Sequence, residues 1–224
     1  MWLFYYNLFM KPTVYFISGL GANEKAFSFL DVSFCNPVFV QWITPLPKET
    51  LPEYALRLKQ QITDPKAFVV GLSFGGMLAT EMAKQNPAQK TILISSNKTT
   101  EEFPKLLKLG KYIPVYKWIS DKRMKKSSPF VALFLGATGK AEKLVQQQIA
   151  KDTNPQFTKW AIEAILHWKN TIAPNNIIHI HGTADKLLPY SLVKANYTIN
   201  GGTHLMIMDR AKEISVLLKE IIHQ

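Results

Sequence analysis

A chain of 224 residues with 47% hydrophobic and 19% charged side chains holds enough apolar material for one packed domain and too much to stay disordered. Its single cysteine, Cys35, allows no intramolecular disulfide, and no Cys/His cluster has zinc-ligand spacing, so neither metal nor cofactor nor redox chemistry is expected. The net charge of +11 raises nucleic acid or an anionic membrane as partner, but 13 of the 27 basic and only 5 of the 16 acidic residues lie between Lys98 and Lys159. With no stacking motif beside it, this excess reads as a basic face on one segment, and no nucleic-acid partner is expected.

Met1 to Phe9 is apolar and aromatic but lacks a basic leader and a small-residue cleavage site, and it falls well short of the roughly 20 residues of a spanning helix. It is expected to be an extended start ahead of Met10, on a soluble, cytoplasmic protein. The β-branched and aromatic run Thr13–Ile17 predicts a first strand that stops at Ser18-Gly19-Leu20-Gly21. Val38–Trp42 predicts a second, closed by Pro45 and Pro47, and Leu51, Ala55, Leu58 and Ile62 mark one face of a helix. Ala67–Gly71 predicts a third strand, which runs through Gly71-Leu72-Ser73-Phe74-Gly75-Gly76 into a helix ending near Asn86-Pro87. Thr91–Ser95, Ile177–His181 and the short Asn196–Ile199 complete the strands, and Ala211–Ile222 is a closing amphipathic helix.

Strands that are apolar on both faces and alternate with helices call for a parallel sheet covered on both sides, an α/β fold. The interval from Asn97 to Asn176 is too long for a simple crossover and carries its own helical stretches. The expected organisation is therefore a core of residues 10–96 and 177–224, with 97–176 an inserted helical lid and return helix.

Gly71-Leu72-Ser73-Phe74-Gly75 is a G-x-S-x-G sequence placed between a strand and a helix, where a sharp turn lifts the serine and flanking glycines remove colliding Cβ atoms. A serine hydroxyl attacks at neutral pH only when a base takes its proton, and imidazole is suited to that task. Among five histidines, His223 is terminal, His167 lies in a helical pattern and His179 and His181 occupy a strand. His204 alone follows a glycine pair, Gly201-Gly202-Thr203, in a loop after the last strand. The base needs a carboxylate to hold its tautomer, and Asp185, just past the fifth strand, sits at the sheet edge where open parallel sheets place their sites. Asp121 and Asp152 lie in the insertion and Asp209 suits a helix cap, so each is a weaker candidate. The order Ser73, Asp185, His204 completes a catalytic triad built on a nucleophile elbow.

These segments, with His181-Gly182-Thr183-Ala184-Asp185, Pro189 and Gly201-Gly202-Thr203-His204, resemble the α/β-hydrolase superfamily, in particular its small bacterial esterase and thioesterase branches. The resemblance implies an oxyanion hole from the backbone N–H groups of Phe74 and Leu20, although Ser18-Gly19 stands where the family often has His-Gly. The two antiparallel strands that usually open the fold have no room here, which implies a reduced, mostly parallel sheet of about six strands.

The implied activity is that of a serine hydrolase, a carboxylesterase or thioesterase, cleaving a small-molecule acyl substrate through an acyl-serine. Other acyl transfer, peptide cleavage, carbon–carbon hydrolysis or a catalytically weak binding protein or receptor could use the same residues. In the insertion, Phe103 to Ile119 mixes Leu106, Tyr112 and Trp118 with lysines at short intervals, giving candidate substrate-binding residues. The basic cluster Lys122 to Lys126 adds a candidate for peripheral membrane contact.

Overall fold

The structure is a computed structural model that describes residues 11–126, 135–136 and 139–224. Six strands form one sheet in the order β2-β1-β3-β4-β5-β6, with every neighbouring pair parallel. They are β1 (Thr13–Ile17), β2 (Asn36–Phe39), β3 (Phe68–Leu72), β4 (Lys90–Ile94), β5 (Ile177–Gly182) and β6 (Tyr197–Ile199). Because side chains alternate across a strand, each strand feeds both faces. Val14, Phe16, Val70, Ile92 and Ile180 pack on one face. Tyr15, Ile17, Val69, Leu93 and Ile177 pack on the other. The first face is covered by α8 (Ala211–His223), whose Ile214, Leu218 and Ile221 join its cluster. The second is covered by α1 (Leu51–Leu58), α2 (Phe74–Gln85) and α6 (Pro155–Leu166).

The second strand lies two residues earlier than its apolar run suggests. Pairing with β1 runs from Thr13 opposite Asn36 to Phe16 opposite Phe39. Pro37, which has no N–H to donate, is accommodated because β2 is an edge strand. Past Val40, whose N–H still reaches Phe16 O at 2.9 Å, the chain leaves the sheet. Trp42 then turns inward, its Nε1 donating to Ala22 O at 2.6 Å and its ring 5.0 Å from that of Phe157. The β-rich composition of Val38–Trp42 thus serves aromatic packing for half its length. The helix read over Leu51–Ile62 is α-helical to Leu58 and tightens to a 3₁₀ turn over Lys59–Gln61. It starts where Glu53 accepts from the Thr50 N–H at 2.8 Å and the Thr50 hydroxyl at 2.7 Å.

Between β4 and β5 the described residues include α3 (Lys105–Leu109), a 3₁₀ turn at Val115–Trp118, α4 (Asp121–Met124), α5 (Lys140–Asp152) and α6. Helix α6 returns the chain to the core by burying Phe157, Ala161 and Ala164. Its N-terminus is capped by Asn154, whose side chain accepts from the N–H groups of Gln156 and Phe157. No described helix is long and apolar enough to cross a membrane.

Candidate active site

Strand β3 delivers Ser73 to the carboxyl edge of the sheet, and α2 begins at the next residue. Ser73 has φ +51° and ψ −116°, a conformation that costs a non-glycine residue of order 1–3 kcal/mol and survives only when its surroundings impose it. Here they do. Ser73 N–H donates to Ile94 O at 2.9 Å, and Ser73 O accepts from Ser96 Oγ at 2.6 Å and Gly76 N at 2.9 Å. The turn is also too tight for side chains on either side. A Cβ on Gly71 would stand 2.5 Å from Gly76 Cα, and one on Gly75 would stand 2.3 Å from Ile17 O.

The loops after β5 and β6 bring the partners. Thr183 N–H bonds to Ile199 O at 3.0 Å and Ala184 N–H to Gly202 O at 2.9 Å, tying the two loops together. Across this junction His204 Nε2 lies 2.9 Å from Ser73 Oγ, and His204 Nδ1 lies 2.8 Å from Asp185 Oδ2. Asp185 Oδ1 accepts from the N–H groups of Leu187 at 2.9 Å and Leu188 at 2.8 Å. Burial works to raise the Asp185 pKa, but the adjacent His204 and these hydrogen bonds outweigh it and hold the carboxyl below its ordinary value. A hydroxyl bonded to an imidazole whose far nitrogen is fixed by a buried carboxylate can pass its proton to that imidazole as it attacks.

The other candidates are engaged elsewhere. Asp121 pairs with Lys159 and Asp152 with Lys25, each at 2.8 Å. Asp209 accepts from the Thr203 hydroxyl at 3.2 Å, and His167 Nδ1 lies 2.9 Å from Glu163 O. His223 packs its ring 6.3 Å from that of Phe34. His181 belongs to the site although its place within strand β5 does not by itself mark it as such in the sequence. Its Nε2 lies 2.8 Å from Leu188 O and 3.5 Å from Asp185 Oδ2, and its Nδ1 lies 3.1 Å from His179 Nε2. Both rings are fully buried, and burial pulls their pKa values down, that of His179 far down. The signal available in sequence was the spacing. His181 stands four residues before Asp185, and alternate positions of a strand place His179 and His181 on one face.

Ser73 and His204 open into a cavity of about 550 Å³ that Leu20 and Phe74 also line. Gly19 adjoins the serine, since a Cβ there would stand 3.5 Å from Ser73 Cβ. Among the described residues, no protein acceptor is bonded to the backbone N–H of Leu20 or of Phe74. The rest of the cavity wall is largely aliphatic. Leu106 and Leu107 come from α3, Ile149 from α5, Ile165 from α6 and Met208 from the short helix α7 (Met206–Asp209). Tyr112 and Trp118 do not line it, and both side chains are 77% exposed. A second hollow of about 480 Å³, walled by Trp42, Phe157 and Trp160, is not lined by Ser73, Asp185 or His204.

No protein-family model and no curated protein sequence matches the chain. Solved structures do. A carboxylesterase from the ammonia-oxidising thaumarchaeon Nitrososphaera gargenis is 16% identical, with 95% of this chain and 90% of that one covered and a TM-score of 0.72. A lipase-esterase related protein from Clostridium acetobutylicum is 14% identical over 95% of both chains, with a TM-score of 0.68. A meta-cleavage product hydrolase from Pseudomonas fluorescens is 16% identical, covering 96% of this chain and 91% of that one, with a TM-score of 0.60. At such identities the likeness is one of fold, and together with the all-parallel six-stranded sheet it establishes that this chain has the α/β-hydrolase fold.

Proposed function

We propose that the protein is a serine hydrolase that cleaves a carboxylic ester or thioester with an apolar acyl group. The observation that carries this reading is the unbroken line of hydrogen bonds from Ser73 Oγ through His204 to Asp185, with Ser73 and His204 lining a largely apolar cavity. In the proposed reaction His204 Nε2 accepts the hydroxyl proton as Ser73 Oγ bonds to the acyl carbon. The backbone N–H groups of Leu20 and Phe74 are the donors for the oxyanion that forms. Collapse of this intermediate breaks the bond to the alkoxide or thiolate, which leaves with the proton carried by His204. A water molecule then gives its proton to His204 and attacks the acyl-serine, releasing the carboxylic acid and restoring Ser73.

Asp185 does not move a proton in this scheme. It holds Nδ1–H and stabilises the imidazolium, which is why its depressed pKa suits the role. The insertion acts as the lid, since its helices α3, α5 and α6 supply Leu106, Leu107, Ile149, Ile162, Ile165 and Leu166 to the apolar wall and help keep water from the acyl group. The neighbours named as a carboxylesterase and a lipase-esterase related protein support ester chemistry at this site. A fluorophosphonate probe tests the nucleophile. Labelling at Ser73 that is lost in Ser73→Ala is expected, and a folded protein that stays unlabelled would refute it. A panel of p-nitrophenyl esters and acyl thioesters of increasing chain length then identifies the acyl class.

A further inference from the structure

Between Lys105 and Lys126 the chain carries eight basic residues and one acidic residue, Asp121. The basic side chains are all exposed, and so are seven large apolar ones interleaved with them: Leu106, Leu109, Tyr112, Ile113, Val115, Trp118 and Ile119. Tyr112 and Trp118 are 77% exposed, Leu106 76% and Ile113 59%. The segment is nevertheless anchored. Tyr116 is turned inward and buried, Lys117 pairs with Glu163 of α6 at 2.9 Å, and Asp121 pairs with Lys159 of α6 at 2.8 Å. These contacts face one side of the segment toward α6 and leave the apolar and basic side chains on the outside.

We infer that this outer face docks the protein on the surface of an anionic lipid bilayer, with the apolar side chains entering the interface and the lysines facing lipid phosphates. Tyrosine and tryptophan are suited to the headgroup boundary, where one end of the ring is wet and the other apolar. Basic side chains beside them gain from the negative surface potential. An acidic protein would answer the lysines but would leave the aliphatic tips without a partner, so the combination favours lipid. Leu106 belongs both to this face and to the wall of the cavity that Ser73 lines, so docking places that part of the cavity wall against the bilayer. The inference rests on the surface alone and does not require that the protein turn over any substrate.

Flotation of the full chain with vesicles tests it without reference to activity. Vesicles of phosphatidylcholine with about 30% phosphatidylglycerol should bind at least about tenfold more protein than phosphatidylcholine alone. Raising salt from about 50 to about 500 mM should remove most of that advantage. Ile113→Ser combined with Trp118→Ser, and separately Lys122→Gln with Arg123→Gln and Lys125→Gln, should each lower binding by roughly fivefold or more. Thermal melting confirms that both variants fold, and the lipid-composition and salt comparisons use the unaltered chain. Equal binding to both vesicle types, or none to either, would overturn the proposal. So would full vesicle binding by either variant. Binding to soluble polyglutamate that equals vesicle binding and is unaffected by Ile113→Ser and Trp118→Ser would identify a polyanion surface in its place.

Discussion

His181 Nε2 stands 3.5 Å from the same Asp185 oxygen that bonds His204, while making its own short contact, 2.8 Å, to Leu188 O. A carbonyl only accepts, so Nε2 of His181 carries the hydrogen and its Nδ1 accepts from His179 Nε2. The loop that supplies two N–H donors to Asp185 is thus held by an imidazole from the strand beneath it.

Replacing His181 with leucine leaves Leu188 O and His179 Nε2 buried without their partner. Each unsatisfied group costs on the order of 1–3 kcal/mol, so His181→Leu should lower the urea midpoint markedly. His181→Gln, which keeps a donor, should recover part of the loss. Equal stability of His181→Leu and the unaltered chain would show that this contact contributes nothing.

If Ser73, His204 and Asp185 act as one unit, Ser73→Ala and His204→Ala should each reduce acyl transfer by about 10³-fold or more, and Asp185→Asn somewhat less. Near-normal ester hydrolysis by pure Ser73→Ala protein would rule out the mechanism.

Stability should fall on mild acidification. Burial lowers the pKa of His179 and His181 in the folded chain, whereas in the unfolded chain both titrate near about 6.5. Below that pH the unfolded chain therefore binds more protons than the folded one, and protonation favours unfolding. The contribution is fully present above about pH 6.5 and is lost as pH falls toward the folded values. Urea midpoints measured from pH 8 to pH 5 should be level at the alkaline end and decline below neutrality. A midpoint that rose on acidification would contradict the buried, neutral pair.

Chain-length preference separates cavity wall from outer surface. Each methylene of substrate buried is worth roughly 0.8 kcal/mol, or about fourfold in kcat/KM. Ile149→Trp, which fills the cavity, should penalise long acyl chains and spare the shortest esters, and Leu106→Ala should shift the preference more mildly. Tyr112→Ala and Trp118→Ala should leave the preference for soluble esters unchanged, because neither side chain lines the cavity. Kinetics on p-nitrophenyl esters of graded length measure all four.

Local pattern was enough for the strands other than β2, for the strand-to-helix turn at Ser73 and for the two loops that carry Asp185 and His204. A strand needs a short β-branched run and a sharp turn needs glycine, and both requirements are written in adjacent residues. The end of β2 was not legible, because Trp42 is withdrawn from the sheet by Ala22 O and the Phe157 ring, partners 20 and 115 positions away in the chain. The contact of His181 with Asp185 needed the path of the loop after β5. The same holds for the difference between Leu106, which is exposed yet also lines the cavity, and Tyr112 and Trp118, which are exposed and do not line it. All three read alike as apolar residues among lysines. Only the anchoring of their segment on α6 through Tyr116, Lys117 and Asp121 decides which of them reaches the cavity, and that depends on tertiary contacts with no local signature.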